Sequence, residues 1–179
     1  MKFFETPLKG AFIIELEPRR DERGFFARTF CAKEFAEKGL RQNMVQSNLS
    51  RSVKRHTLRG MHYQKNGFEE AKLVRCIAGS ILDVIIDLRP DSSSYCRYFA
   101  IELRNDSSKM LYVPEGFAHG FITLENNSDV FYQVSNFYSQ SDEAGIRWND
   151  PAIGIQWPVA DPVISEKDRN FPDFIPVKK

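Results

Sequence analysis

Short segments rich in valine, isoleucine, phenylalanine and tyrosine recur along the chain, and this recurrence constrains its fold more than any other feature. Several alternate apolar and polar residues with a period of two, as strands do when one face is buried. The segments are AFIIELEP, KLVRCIAG, ILDVIIDLRP, YFAIEL, KMLYVPEG, GFITLE and DVFYQVSNFY. Turn-forming pairs separate them at Gly79-Ser80, Pro90-Asp91, Asn105-Asp106 and Asn126-Asn127. This spacing predicts an all-β sandwich or barrel.

Helical signals are few. The clearest is AKEFAEKGL, in which Glu34 and Lys38 stand four residues apart and Gly39 can end a helix. The stretch DPAIGIQWPVADPVISEKDRNFPDF is interrupted by prolines, so we expect it to wrap the core rather than to form a second domain. At 179 residues, 42% of them hydrophobic, the chain has the length and apolar content of one ordinary domain. We therefore expect a single domain over residues 1–179 with a few short peripheral helices.

The overall charge excludes some partners. Lys and Arg number 25 against 24 acidic residues, so a net charge of +1 offers no general attraction to nucleic acid or to an anionic membrane. No apolar run approaches the roughly 18 residues of a membrane span, and charges interrupt MKFFETPLKGAFIIELEP before a signal-peptide core can form. The three cysteines lack CxxC spacing, as expected for reduced thiols. We expect a cytoplasmic protein that binds neither nucleic acid nor membranes.

Two segments carry histidines in a recognisable layout. TLRGMHYQ contains His62 and VPEGFAHGFITLE contains His119, and together they resemble the two motifs of a cupin, a small jelly-roll barrel. Metal-binding cupins normally have a second histidine where this chain has Gln64, and glutamine is a poor ligand for a transition metal. Two histidines fall short of the three protein ligands of a usual catalytic zinc site. We expect a cupin-type pocket without metal or other cofactor; a metal-dependent cupin enzyme with Gln64 or Glu70 as third ligand stays an alternative.

The resemblance extends to one enzyme family. In order, TLRGMHYQ, EAKLVRCIAGSILDVIIDLRPDS, VPEGFAHGFITLE, DVFYQVSNFYS, GIRWNDPAIGIQWP and ISEKD resemble the RmlC-type dTDP-4-dehydrorhamnose 3,5-epimerases, from RDERGFF to about Asp168. The resemblance implies a cytoplasmic, metal-free homodimer that acts on a nucleotide-linked 4-keto-6-deoxyhexose, such as dTDP-4-dehydro-6-deoxy-D-glucose. It implies inversion at C3 and C5 for deoxysugar biosynthesis. Inversion at C3 alone and a non-catalytic sugar-nucleotide-binding cupin stay open.

The resemblance also assigns catalytic roles. His62 is expected to remove the proton beside the ketone, because an imidazole titrates near neutral pH, and Asp168 is expected to hold its ring. Lys72 would place an ammonium near the C4 oxygen, where negative charge develops. Tyr132 would return a proton from the opposite face as a phenol. Taken alone, Lys72 and Asp168 would be interpreted as surface charges and Tyr132 as a cross-strand aromatic.

A nucleoside diphosphate presents two phosphates and a flat base. Arginine and lysine suit the phosphates, and aromatic rings suit the base. By resemblance, the RGFF segment reaches in from a neighbouring subunit, and Arg28 stands where many relatives have a glutamate. For His119, the apolar neighbours favour packing as the alternative to a role in binding. The predicted binding residues are Arg23, Phe26, Gln46, Asn48, Arg59, His119, Tyr138 and Lys167.

Overall fold

The computed structural model describes residues 1–177, and strands dominate it. The strands are β1 (Lys2–Glu5), β2 (Phe12–Glu15), β3 (Arg19–Asp21), β4 (Gly24–Phe26), β5 (Gln46–Ser52), β6 (Thr57–Gln64), β7 (Lys72–Ala78), β8 (Ser80–Asp87), β9 (Tyr98–Arg104), β10 (Lys109–Val113), β11 (Phe117–Thr123), β12 (Ser128–Val134), β13 (Glu143–Gly145) and β14 (Val163–Ile164). The helices are α1 (Ala32–Glu37) and α2 (Glu166–Arg169). Within the described range, neither helix has the length and apolar character needed to cross a membrane.

Two sheets form the body of the fold. The first sheet has the order β1-β2-β10-β7-β12-β5, and the second has the order β13-β6-β11-β8-β9 with β14 beside β6. Strands β3 and β4 form a separate hairpin. Pairing in both sheets is antiparallel except between β14 and β6. The prediction of an all-β, cupin-type jelly roll with a few short helices is confirmed.

The main core lies between the two sheets, as the alternation in the strands predicts. In KLVRCIA, Val74 and Cys76 are fully buried, whereas Ile77 is exposed on the other face. The inward residues of β7, β8, β11 and β12 form one apolar cluster, which includes Val74, Cys76, Ile81, Ile85, Phe117, Phe121 and Val130. Burial raises the pKa of the Cys76 thiol to about 11, so this thiol stays protonated.

Helix α1 lies where the sequence predicts it. Its chain leaves the helical conformation at Gly39, which has a φ of +68°, a value that glycine adopts without the cost of a Cβ clash. Glu34 was expected to support the helix through Lys38. Instead, the Glu34 carboxylate accepts a hydrogen bond from the Met1 amine at 2.7 Å and one from Arg28 at 3.4 Å.

The C-terminal segment packs on the outer face of the second sheet. Ile146, Ile153 and Ile155 join Met61 and Ala118 in an apolar cluster there. The chain then pairs alongside β6 through β14 and enters α2, which Ser165 caps by accepting a hydrogen bond from the Asp168 N–H at 3.1 Å. This path carries Asp168 from near the end of the chain to the centre of β6.

Candidate active site

A β-bulge in β6 shapes the wall of the site. His62 pairs with His119 of β11, whereas Arg59 pairs with Phe121, so three steps along β6 match two along β11. Such an unequal count means that β6 holds one extra residue. Because side chains alternate along a strand, the extra residue brings Arg59 and His62 to the same side of the sheet, where both line one cleft.

Gly60 makes this bulge possible. It has a φ of +133°, and a Cβ at this position would lie 2.5 Å from the Cα of Gly120 on the adjacent strand. Any other residue would therefore force the two strands apart. The Gly60 N–H donates a hydrogen bond to Oδ2 of Asp168 at 3.1 Å, so the bulge also helps to fix an acidic side chain at the cleft.

The cleft consists of two adjoining chambers of about 570 and about 180 Å³. His62, Lys72 and Tyr132 line both chambers and so mark their junction. Strand β6 belongs to the second sheet, whereas β7 and β12 belong to the first. His62 therefore approaches the junction from one wall, and Lys72 and Tyr132 approach it from the other.

His62 and Asp168 form a hydrogen-bonded dyad. His62 Nε2 and Asp168 Oδ1 are 2.8 Å apart, and Asp168 is only 5% exposed. Burial raises the pKa of Asp168, but hydrogen bonds from His62, the Gly60 N–H and Ser165 outweigh it and hold that pKa below its usual range. The carboxylate is thus charged at neutral pH. With Nε2 engaged, Nδ1 is the ring nitrogen that can accept a proton from a substrate.

Lys72 and Tyr132 form the opposite wall. Lys72 is 8% exposed, and its ammonium donates a hydrogen bond to the Glu70 carboxylate. Burial and the charge of Glu70 raise the pKa of the Tyr132 phenol, while Arg59 opposes them. The phenol therefore keeps its proton at neutral pH and can donate it.

His119 forms a second dyad deeper in the barrel. Its Nε2 is 2.7 Å from Oδ1 of Asp83, which is fully buried, and His119 itself is 8% exposed. The other carboxylate oxygen, Asp83 Oδ2, has no hydrogen-bond partner within residues 1–177. His119 lines the larger chamber and its ring lies 6.4 Å from that of Phe121. Both expected features of His119, apolar packing and access to the cleft, are thus present.

The Gln64 side chain forms hydrogen bonds with the backbone of two loops. Its amide nitrogen donates hydrogen bonds to the carbonyls of Phe68 and Phe137, at 2.9 and 3.1 Å, and its oxygen accepts one from the Ser139 N–H at 2.7 Å. Gln64 therefore fixes the loop after β12. Both candidate third metal ligands, Gln64 and Glu70, are engaged with protein groups. Across the described residues, no group of three or more His, Cys, Asp or Glu has an arrangement that could hold a metal ion.

The remaining cleft residues surround these groups. Arg59 and Lys167 line the larger chamber, while Gln46, Asn48 and Tyr138 line the smaller one. The Tyr138 N–H donates to Gln46 Oε1 at 2.7 Å. Six predicted binding residues from separate parts of the sequence therefore lie around one cleft: Gln46, Asn48, Arg59, His119, Tyr138 and Lys167. The sequence could assign their roles only by resemblance.

Comparison with known proteins identifies the family of the chain. The family model for dTDP-4-dehydrorhamnose 3,5-epimerase matches residues 5–175. The chain belongs to this family. The family prediction from the six ordered segments is thus confirmed, and the protein is an epimerase, an isomerase by reaction class.

Individual relatives of this epimerase cover nearly all of it. The dTDP-4-dehydrorhamnose 3,5-epimerase of Methanothermobacter thermautotrophicus is 45% identical over 95% of this chain and 92% of its own. The Shigella flexneri epimerase is 40% identical over 98% and 97%. The crystal structure of the Elizabethkingia anophelis epimerase has a TM-score of 0.94 at 41% identity, covering 97% of this chain and 96% of its own. A 3'-monoepimerase from Streptomyces bikiniensis, in complex with dTDP-quinovose, has a TM-score of 0.87 at 28% identity, covering 94% and 85%.

Two predicted residues of the epimerase lie outside the cleft of their own chain. Arg23 and Phe26 belong to the β3–β4 hairpin region, where Arg23 pairs with Asp21 at 2.6 Å and Phe26 is 71% exposed. Phe26 lines a separate surface pocket with Arg28. The expectation that RGFF serves a neighbouring subunit stays a prediction, and the exposure of Phe26 leaves its ring free for such a contact.

Sequence reasoning missed several residues of the site. Glu143 accepts hydrogen bonds from Lys167 at 2.5 Å and Tyr138 at 2.9 Å, and nothing in its sequence context indicates this. The role of Gly60 depends on its close approach to Gly120 on another strand. Glu70, which the sequence suggested only as a possible metal ligand, instead contacts Lys72 two residues along the chain. Asp83 carried a detectable signal, because ILDVIID places it between Ile81 and Ile85 on a buried side of a strand.

Proposed function

We propose that this epimerase inverts C3 and C5 of dTDP-4-dehydro-6-deoxy-D-glucose, with His62 removing protons and Tyr132 returning them. The observation that supports this most is the convergence of His62, Lys72 and Tyr132 at the junction of the two chambers. A base and an acid on opposite walls are what an inversion requires, since the proton leaves one face of the carbon and returns to the other.

The ketone makes this chemistry possible without an external electron acceptor. Protons beside a carbonyl are acidic because the resulting carbanion is delocalised onto the oxygen as an enolate. His62 Nδ1 accepts such a proton, and the charged Asp168 stabilises the imidazolium that results. The Lys72 ammonium stabilises the negative charge that develops on the C4 oxygen. Because Lys72 is buried, this interaction is stronger than it would be in water.

The proposed binding roles follow the charges and rings around the cleft. Arg59 and Lys167 supply positive charge for the diphosphate, and Arg59 can bind two phosphate oxygens with its planar fork. His119, Gln46 and Asn48 offer hydrogen bonds to the nucleotide. Tyr138 is 58% exposed at the rim, so its ring is accessible to stack on the base.

We further propose a homodimer in which the hairpin of one protomer supplies Arg23 and Phe26 to the partner's cleft. The outer face of the first sheet carries exposed apolar side chains, including Leu49 at 63%, Ile77 at 43% and Phe131 at 36%. Contiguous apolar surface of this kind favours association. Phe131→Asp should produce monomers in sedimentation velocity; a wild-type protein that is monomeric and fully active would overturn the shared site.

We place the epimerase in the cytoplasm. The thiols of Cys31, Cys76 and Cys96 are all free, which suits a reducing compartment. Such a protein would meet a nucleotide sugar where nucleotides are made. Fractionation of the native cells followed by immunoblotting tests this location, and recovery in an oxidising compartment would contradict it.

The decisive experiment incubates the purified protein with dTDP-4-dehydro-6-deoxy-D-glucose in D₂O and follows the sugar by NMR. Deuterium at both C3 and C5, together with inverted product, is the expected result. Deuterium at C3 alone would establish the C3-only alternative, and no exchange would support a non-catalytic binding protein. Activity lost on chelation and restored by one metal would support the metal-dependent alternative.

A further inference from the structure

Glu70 lies in the cleft and has no role in the reaction described so far. Its carboxylate accepts a hydrogen bond from the Lys72 ammonium, and the two side chains are only 11% and 10% exposed. We infer that Glu70 is a positioning residue, which fixes the Lys72 ammonium at the junction of the chambers. This inference rests on the proposed role of Lys72.

The backbone between the two residues is firmly held. Ala71 is fully buried, its N–H donates to Ser135 Oγ at 2.8 Å, and its carbonyl accepts from the Ser135 N–H at 3.0 Å. In an extended chain, residues on either side of a central one point to the same side. Glu70 and Lys72 therefore project together into the smaller chamber from a fixed base.

The charges of the cleft are divided into separate pairs. Glu143, the other carboxylate lining the smaller chamber, accepts hydrogen bonds from Lys167 and Tyr138. Glu70 is therefore the acid that contacts Lys72. Other ionisable groups lining this chamber are His62, Tyr63, Tyr132 and Tyr138.

The contact matters because a lysine side chain is long and flexible. Its ammonium reaches the enolate oxygen effectively only when its four carbon–carbon bonds adopt one arrangement, and a buried hydrogen bond selects that arrangement. Without Glu70, the ammonium would sample other positions. Enolate stabilisation would then fall, whereas binding of the phosphates and the base would not.

Steady-state kinetics of Glu70 variants test this inference. Glu70→Ala should lower kcat by about 10- to 100-fold with little change in KM, because a misplaced group costs chemistry rather than binding. Glu70→Gln should recover most of kcat, since its amide oxygen still accepts from the ammonium. Glu69→Gln is the matched control, because Glu69 is next to Glu70 in sequence but lines another pocket. This variant should have wild-type kcat and KM.

A double-mutant cycle separates positioning from independent action. If Glu70 acts through Lys72, then Glu70→Ala combined with Lys72→Ala should be no slower than Lys72→Ala alone. Additive losses would overturn the inference, as would wild-type kcat in Glu70→Ala. If Glu70→Ala does not fold, Glu70→Asp is tested instead. The aspartate side chain is one methylene shorter, so it should also misplace the ammonium and lower kcat. Wild-type kcat in Glu70→Asp would overturn the inference.

The same measurements distinguish this inference from the proposed function. Wild-type kcat in Lys72→Ala would overturn the role of Lys72 and, with it, that of Glu70. Loss of kcat in Lys72→Ala together with wild-type kcat in a folded Glu70→Ala would overturn only the inference.

Discussion

Replacing Asp168 with asparagine probes the dyad with little change of shape. Asp168 accepts hydrogen bonds from both His62 Nε2, at 2.8 Å, and the Gly60 N–H, at 3.1 Å. Asparagine has only one oxygen for these two positions. If that oxygen faces Gly60, the amide N–H faces His62 Nε2 and forces the imidazole proton onto Nδ1, which removes the basic nitrogen from the cleft.

The expected loss has two parts. A charge-assisted hydrogen bond contributes about 1.5 to 3 kcal/mol, which corresponds to about 10- to 150-fold in rate. The unfavourable tautomer adds to this, so we expect kcat to fall by about 10²- to 10⁴-fold. KM should change much less, because the asparagine leaves the phosphate-binding side chains in place.

The assay is steady-state epimerisation together with solvent exchange, measured for Asp168→Asn and for Asp161→Asn as a control. The Asp161 side chain is 91% exposed, so its substitution should have no effect. Exchange and epimerisation should fall together in Asp168→Asn, since both require proton removal. A folded Asp168→Asn protein with wild-type kcat would refute the role of the carboxylate.

Two further predictions concern stability and subunit contacts. Burial raises the pKa of Asp87, but hydrogen bonds from Arg89, Ser92 and Ser94 outweigh it and lower that pKa from 3.8 to about 2. The charged Asp87 thus stabilises the fold above about pH 4, and this effect is lost as the pH falls through about 2. Asp87→Asn should therefore lower the free energy of unfolding by about 2 kcal/mol at neutral pH and by less at pH 3. Urea denaturation measures this, and a pH-independent difference would contradict it. Arg23→Ala should raise KM more than it lowers kcat; unchanged KM would exclude Arg23 from the cleft.

The fold was largely predictable because its causes are local. Alternation in KLVRCIAG predicts that Val74 and Cys76 lie on one buried face, and turn pairs end the strands. The path of the C-terminal segment was predictable in outline from its prolines. Its final position was not, because only the pairing of β14 with β6 brings Asp168 to His62.

The site was predictable only in part. Family resemblance identified His62, Lys72 and Tyr132, but simple alternation places Arg59 and His62 on opposite faces of β6. The bulge at Gly60 reverses this, and it requires a glycine because a Cβ there would lie 2.5 Å from the Cα of Gly120 on another strand. Glu143 was missed as the partner of Lys167 for a similar reason, because the two residues are 24 apart in sequence. Glu70 is only two residues from Lys72, but the sequence does not show that both side chains are buried in one cleft.

Solvent exchange at the sugar carbons in His62→Ala and Tyr132→Phe tests the central claim most directly. If His62 removes the proton, His62→Ala should lose both deuterium exchange and inversion. If Tyr132 only returns a proton on the other face, Tyr132→Phe should keep part of the exchange while inversion falls by about 10²- to 10⁴-fold. Deuterium incorporated with retained configuration is therefore the predicted result. Exchange in His62→Ala, or inversion at the wild-type rate in Tyr132→Phe, would contradict the account.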